Sequence, residues 1–178
     1  MSATSAALAA IPLTLPYAWD GPLGTALIRS IPEDFQVTEV PLLQPSGAGE
    51  HCWLYVRKRN SNTQWVARQL ARCAQVAASA VSYAGLKDRN AVTEQWFSVH
   101  LPGRADPDWR TLDCDAFQVL EVHRHDRKLR TGTLRGNRFR IHLRALTAPS
   151  DRCASLAAAV RLPCSATWTN RRRSLRCR

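Results

Sequence analysis

Apolar and polar side chains alternate through Phe35–Val40, His51–Arg57 and Asn137–Ala145, the period of half-buried strands. In the first stretch Phe35, Val37 and Glu39 share a face opposite Gln36, Thr38 and Val40, with Pro32 and Pro41 bounding the run. In the second, Cys52, Leu54 and Val56 share a face, and Pro45-Ser46-Gly47-Ala48-Gly49 before it reads as a turn. The third sets Phe139, Ile141 and Leu143 against Arg138, Arg140, His142 and Arg144. Shorter β-compatible runs fall at Val81–Tyr83, Gln95–His100 and Phe117–Val122, and residues 103–116 read as a polar surface loop. One segment changes period: Trp65, Val66, Gln69, Leu70, Cys73 and Ala77 recur at helical spacing. Ser61 and Gln64 before them have capping-box form, and Arg68 and Arg72 fall on a solvated outer face. The pattern predicts an α/β domain of α+β type: a mixed, largely antiparallel sheet with flanking helices.

The chain has 178 residues, 45% hydrophobic, enough for a real core and too apolar for wholesale disorder. Its net charge of +11 is unevenly placed. Residues 1–122 hold ten Lys/Arg against twelve Asp/Glu. Residues 123–144 hold eight basic residues against Asp126 alone, and residues 161–178 carry six Arg and no acid. Two basic blocks therefore point to anionic partners, and they need not mean the same thing. The six Cys form no C-x-x-C pair, so a zinc site is not expected and the thiols read as reduced and mostly buried. Ser2–Leu15 lacks a leading cation and is followed by Pro16, so it reads neither as a signal peptide nor as a membrane span. A cytoplasmic monomer without membrane contact, metal or cofactor is the expectation.

Two features could carry chemistry. Residues 83–96 (YAGLKDRNAVTEQW) form a tight turn at Gly85 that presents Lys87, Asp88 and Arg89 together. Flanking cations favour an ionised carboxylate, a usable nucleophile or base at a strand end, but the same trio also fits a surface ion pair. The second is HRHDRKLRTGTLRGNRFRIHLR, residues 123–144, whose first half reads as an irregular cationic loop. There Arg124, Arg127, Lys128, Arg130 and Arg135 can neutralise phosphates, and so dense a block favours nucleic-acid contact over a merely solvated loop. His123, His125 and Asp126 make a weak metal motif, and His51 and His100 read as structural.

These segments together carry a resemblance. GLKDRNAVTEQW (85–96), preceded by IPEDFQVTEVP (31–41) and GEHCWLYVRKRNSNTQWVARQLAR (49–72) and followed by VLEVHRHDRKLRTGTLRGNRFRI (119–141), resembles the TruD family of tRNA pseudouridine synthases. The resemblance covers about residues 25–146. It implies a pseudouridine synthase catalytic domain that isomerises uridine at position 13 of tRNA, without metal or cofactor. Through the GxKD motif it places the catalytic aspartate on Asp88, flanked by Lys87 and Arg89. It places substrate-binding Asn and Phe on Asn137 and Phe139, and a basic residue four before the Glu of PEDF on Arg29, where Lys is common. Lys87, Arg89, Arg127, Lys128 and Arg130 are the expected RNA-contacting cations. The family's NYFG-type segment is not found after Ala159. The expected organisation is a loose segment over 1–24, a partial catalytic domain over 25–159 and a basic tail over 160–178. A frameshift or premature stop would account for that tail, and would leave a truncated, non-catalytic RNA-binding fragment as the alternative reading.

Overall fold

A computed structural model describes residues 24–147. The segments expected to be a loose N-terminus and a basic tail, with Cys153, Cys164 and Cys177, lie outside the described residues. In chain order the elements are β1 (Phe35–Pro41), β2 (His51–Arg59), α1 (Thr63–Cys73), β3 (Val81–Tyr83), β4 (Val92–His100), β5 (Phe117–His125) and β6 (Leu134–Ile141). The strands form one sheet in the order β5-β2-β4-β1-β6, with β3 also paired to β4. Only the β1–β4 pairing is parallel, so the expected mixed, largely antiparallel α+β architecture is the one found.

Boundaries moved where tertiary pairing extends a run beyond its apolar core. β4 begins at Val92 rather than Gln95, because Arg57, Lys58 and Arg59 of β2 continue the ladder onto Glu94, Thr93 and Val92. β5 continues to His125 because His51 and Cys52 pair with His125 and Arg124. β6 runs from Leu134 to Ile141, earlier than expected, and beyond it Arg144 makes only an isolated bridge to Leu27. The α1 cap is Asn62, whose side chain accepts the Gln64 N–H at 2.8 Å. Ser61 instead donates to the Arg59 carbonyl. The 103–116 loop contains a short 3-10 turn, Trp109–Leu112, that buries Trp109 against the core. Of the described thiols, Cys52 is buried, Cys73 half-buried and Cys114 exposed, which limits the expectation of mostly buried cysteines.

The helix packs Val66, Ala67, Leu70, Ala71 and Ala74 onto Leu54, Val56, Phe97 and Val99, on one face of the middle strands. The helical stripe thus lies one position over from the expected one, with Trp65 and Cys73 only at its margin. A smaller cluster of Trp53, Ala84, Trp96 and Leu129 forms elsewhere. At the β1–β6 end Phe35 and Val37 are buried with Ala91, yet Phe139, Ile141 and Leu143 are each about half exposed. β6 is an edge strand and α1 does not reach it, which is why its apolar face is not core.

The ladder on β4 contains a gap. β2 occupies one side of β4 along its length. On the other side β1 pairs with Val92–Glu94 and β3 with Val99–Phe97, so the two strands abut end to end and leave Gln95 and Trp96 between them. The chain from β3 to β4, residues 84–91, passes beside this gap. The turn before β2 is docked on β5: Ser46 N–H donates to His125 Nδ1 at 3.0 Å, and a Cβ on Gly49 would lie 2.4 Å from the His125 carbonyl oxygen. With φ at +124°, only glycine fits there.

Candidate active site and RNA-facing surface

The 84–91 loop carries Asp88, and buried polar groups hold it from below. Gln95, in the gap, donates its side-chain amide to the Gly85 carbonyl at 3.1 Å. Thr63, at the start of α1, accepts the Lys87 N–H at 3.1 Å and donates to Gln95 Oε1 at 3.0 Å. Lys58 donates to the Asp88 carbonyl at 2.7 Å. Glu39 fills the gap itself: one carboxylate oxygen accepts the Trp96 N–H at 3.2 Å and the other accepts from Lys87 Nζ at 2.6 Å. A backbone donor that no strand can satisfy is thus satisfied by a side chain. Lys58 and Thr63 are fully buried and Gln95 equally so. These groups hold a loop of irregular backbone that a hydrophobic floor would leave unsatisfied.

Lys87, expected among the RNA-contacting cations, points inward. Its side chain is 4% exposed and that of its partner Glu39 1%, because the ion pair plugs the sheet. Asp88 points the other way, with its side chain 41% exposed, and its carboxylate meets Arg29 Nη2 at 3.3 Å. The guanidinium of Arg29 lies 3.9 Å from the centroid of Phe35, a cation–π contact. Arg29 sits at φ +58°, in the left-handed region, with both contacts on its side chain. Phe139 stands edge-on to Phe35, centroids 5.9 Å apart, and is 53% exposed. The structure therefore brings Asp88, Arg29 and Phe139 into one cluster through Phe35. Asn137 lies opposite Glu39 in the β1–β6 register, on the face it shares with Phe139. Arg89 is exposed on the same loop as Asp88.

An ion pair as exposed as Arg29–Asp88 contributes about 0–1 kcal/mol to stability, so orientation of the carboxylate is what it offers. Two other ion pairs brace the scaffold. Arg144 makes a two-pronged contact with buried Asp34, both bonds at 2.8 Å, and holds that carboxyl below the usual range. Arg124, expected among the phosphate contacts, instead binds Asp106 and the Arg104 carbonyl. Its place inside β5 rather than in a free loop explains the difference.

The loop after β5 presents Arg127, Lys128 and Arg130, whereas Arg135, expected with them, lies exposed in β6. Leu129 is 2% exposed, packed with Trp53, Ala84 and Trp96, and Trp53 Nε1 donates to the Arg127 carbonyl at 2.9 Å. Gly132 N–H donates to the Ala84 carbonyl at 2.7 Å, tying this loop to the start of the Asp88 loop. With Leu129 pinned inward, Arg127, Lys128 and Arg130 are left exposed. Lys128 and Arg130 border a shallow cavity of about 330 Å³ against β3. Among the described residues no group of three His, Cys, Asp or Glu could hold a metal ion, and no helix is long and apolar enough to cross a membrane.

Phe35, Glu39, Lys58, Thr63 and Gln95 were not among the expected site residues. For Glu39 and Lys58 a signal exists, since each falls in phase with an apolar stripe: Phe35-Val37-Glu39 and Cys52-Leu54-Val56-Lys58.

A mixed sheet that displays one aspartate beside an arginine and an open aromatic ring, with exposed cations on the loop after β5, defines a candidate site for an anionic, aromatic-bearing ligand. The model of the family described as tRNA pseudouridine synthase D (TruD) matches residues 14–167, and the chain belongs to that family. Over 136 residues it is 54% identical to a tRNA pseudouridine synthase D of Methylococcus capsulatus, covering 74% of this chain and 38% of that protein. Over 131 residues it is 56% identical to one from Nitrosococcus oceani, covering 73% and 37%. A crystal structure assigned to a tRNA pseudouridine synthase D from Methanosarcina mazei superposes with a TM-score of 0.63 at 28% identity, over 75% of this chain and 30% of that one. The chain thus spans little more than a third of the length of the curated relatives it matches.

Proposed function

We propose that residues 25–159 carry the Asp88 side of a tRNA pseudouridine synthase site, with tRNA as substrate and position 13 as the modified uridine. The observation that carries the reading is the run of contacts Asp88–Arg29–Phe35–Phe139, with an exposed carboxylate at one end and an exposed ring at the other. Isomerisation of uridine breaks the C1′–N1 bond, turns the base and forms a C1′–C5 bond, while a proton leaves C5 and one is gained at N1. The uracil must first leave its stack, at a few kcal/mol. The exposed ring of Phe139 offers a stacking face for the extruded base, a contact of about 1–3 kcal/mol. Asn137 stands on the same face with donors and acceptors for a base edge. Asp88, oriented by Arg29, acts on the ribose, either by attack at C1′ or by removing a ribose proton. Arg89, Arg127, Lys128 and Arg130 bind phosphates, and nothing in these steps calls for a metal or redox cofactor.

Pseudouridine mapping of tRNA from cells lacking this gene, and then supplied with this chain or its Asp88→Asn variant, tests the reading. Restoration by the first and not by the second is expected. Restoration by Asp88→Asn would overturn it. A second reading, an RNA-binding polypeptide without turnover, is favoured by the small share of the relatives' length that the chain spans and by the half-exposed β6 face. It expects salt-dependent tRNA binding and no modification with Asp88 intact.

A further inference from the structure

The Asp88 loop rests on a buried lysine that, among the described residues, forms no ion pair with a carboxylate. Lys58 ends the inward alternation of β2, and its side chain is fully buried. Its Nζ donates to two main-chain oxygens, Asp88 at 2.7 Å and Ser61 at 2.8 Å. Among the described residues no carboxylate oxygen lies within 4.0 Å of it. The neighbouring buried lysine, Lys87, does have such a partner in Glu39. Burying an ammonium without a counter-charge is expensive, and a Met or Leu would continue the Cys52-Leu54-Val56 stripe at no such cost. Burial accordingly pushes Lys58 down to about 8, partly offset by the charge of Asp88.

An apolar side chain at this position could not grip carbonyls. Gln95 holds residue 85 and Thr63 and Glu39 hold residue 87. Within the network, Lys58 is the group that touches the backbone of residue 88 itself, and it joins that backbone to Ser61 at the entry to α1. We propose that Lys58 is a positioning residue, whose ammonium fixes the main chain of Asp88 and so sets the direction of the carboxylate toward Arg29 and the substrate ribose. This rests on the reading of Asp88 as the catalytic group. Lys58 itself touches neither base nor ribose; it acts through the carbonyl of the residue that does.

The test compares the chain with Lys58→Met, which keeps the length and apolar stem and removes the charge and donors. Misplacement of a reacting group by about 1 Å lowers kcat about 100-fold. That loss is expected here, with KM and tRNA affinity unchanged within about threefold, since the cations that bind phosphates are untouched. Amide exchange is measured in parallel: residues 86–91 should exchange at least about tenfold faster while β2 and β4 keep their protection. Unchanged kcat, or a loss shared equally by kcat and tRNA affinity, overturns the proposal. If the unaltered chain makes no pseudouridine, that result counts against the catalytic reading, and exchange alone judges Lys58. Faster exchange confined to 86–91 then supports the anchor, and unchanged exchange overturns it. Should Lys58→Met not fold, Lys58→Gln, with an amide donor on a shorter stem, is read in the same way.

Discussion

One face of one sheet carries two kinds of interior. Under α1, Leu54, Val56, Phe97 and Val99 meet Val66 and Leu70, and the contacts are apolar throughout. Further along β2 and β4, Lys58 and Gln95 are buried with Glu39 of β1, Thr63 of α1 and the Lys87 side chain, and hydrogen bonds link them to the Asp88 loop. The first region supplies hydrophobic stabilisation, which is non-directional and tolerant of shape. The second orients a loop, because hydrogen bonds to named carbonyls and amides fix where a backbone lies. Asp88 stands over the second region, not the first. The difference assigns stability to one half of the interior and geometry to the other.

Truncating the apolar half should have the largest effect on folding. Phe97→Ala is expected to cost about 3–5 kcal/mol, read by urea denaturation, while tRNA affinity of the fraction still folded stays unchanged. A site-specific loss of affinity in that variant would erase the distinction. In the polar half, Lys87→Met should destabilise by about 3 kcal/mol, since it leaves the Glu39 carboxylate buried without its counter-charge. Adding Glu39→Leu should recover only part of this, because the Trp96 amide then loses its acceptor, at about 1–3 kcal/mol. Full recovery would mean that Glu39 has no role as the plug of the sheet gap.

The pH dependence sharpens the same contrast. Lys58 titrates near 8 in the folded protein and near 10.5 when unfolded. Between those values the unfolded state holds a proton that the native state does not, so native stability rises with pH across the window. Below about 8 both states are charged and the slope from this group vanishes. The rise should reach about 3 kcal/mol and be absent in Lys58→Met, a comparison that cancels the other groups titrating in that range. A flat difference would place Lys58 in a far more hydrated setting. The smallest effect concerns the surface: Lys128→Ala with Arg130→Ala should leave stability within about 0.5 kcal/mol. The same pair should reduce the log–log salt slope of tRNA binding by up to about 2.

Much of this was legible in the residues. The alternation in 35–40 and 51–57 marks two strands whose inward positions are buried, although Trp53 on the other face of the second is buried too. The GLKD turn marked the loop on which Asp88 is displayed. The inward turn of Lys87 was not legible, because a lysine beside an aspartate in a turn has the pattern of a solvated charge whatever lies beneath it. The burial of Glu39 and Lys58 was partly legible: each keeps the phase of an apolar stripe, and a charge in phase with buried neighbours marks a polar interior more reliably than a charge in a loop. The exposure of Phe139 was hidden for the opposite reason. Its strand alternates as a core strand does, and only the sheet order, with β6 at the edge beyond the reach of α1, leaves the ring open.

The break between β1 and β3 along β4 also bears on the order in which the molecule assembles. Its plug joins Glu39 to Lys87, 48 residues on, and to the Trp96 amide, 57 residues on. Such contacts repay their loop-closure entropy only after β4 has entered between β2 and the β1/β3 pair, and topologies rich in them fold slowly. The Asp88 loop therefore takes its shape late in folding, after the scaffold has closed around it.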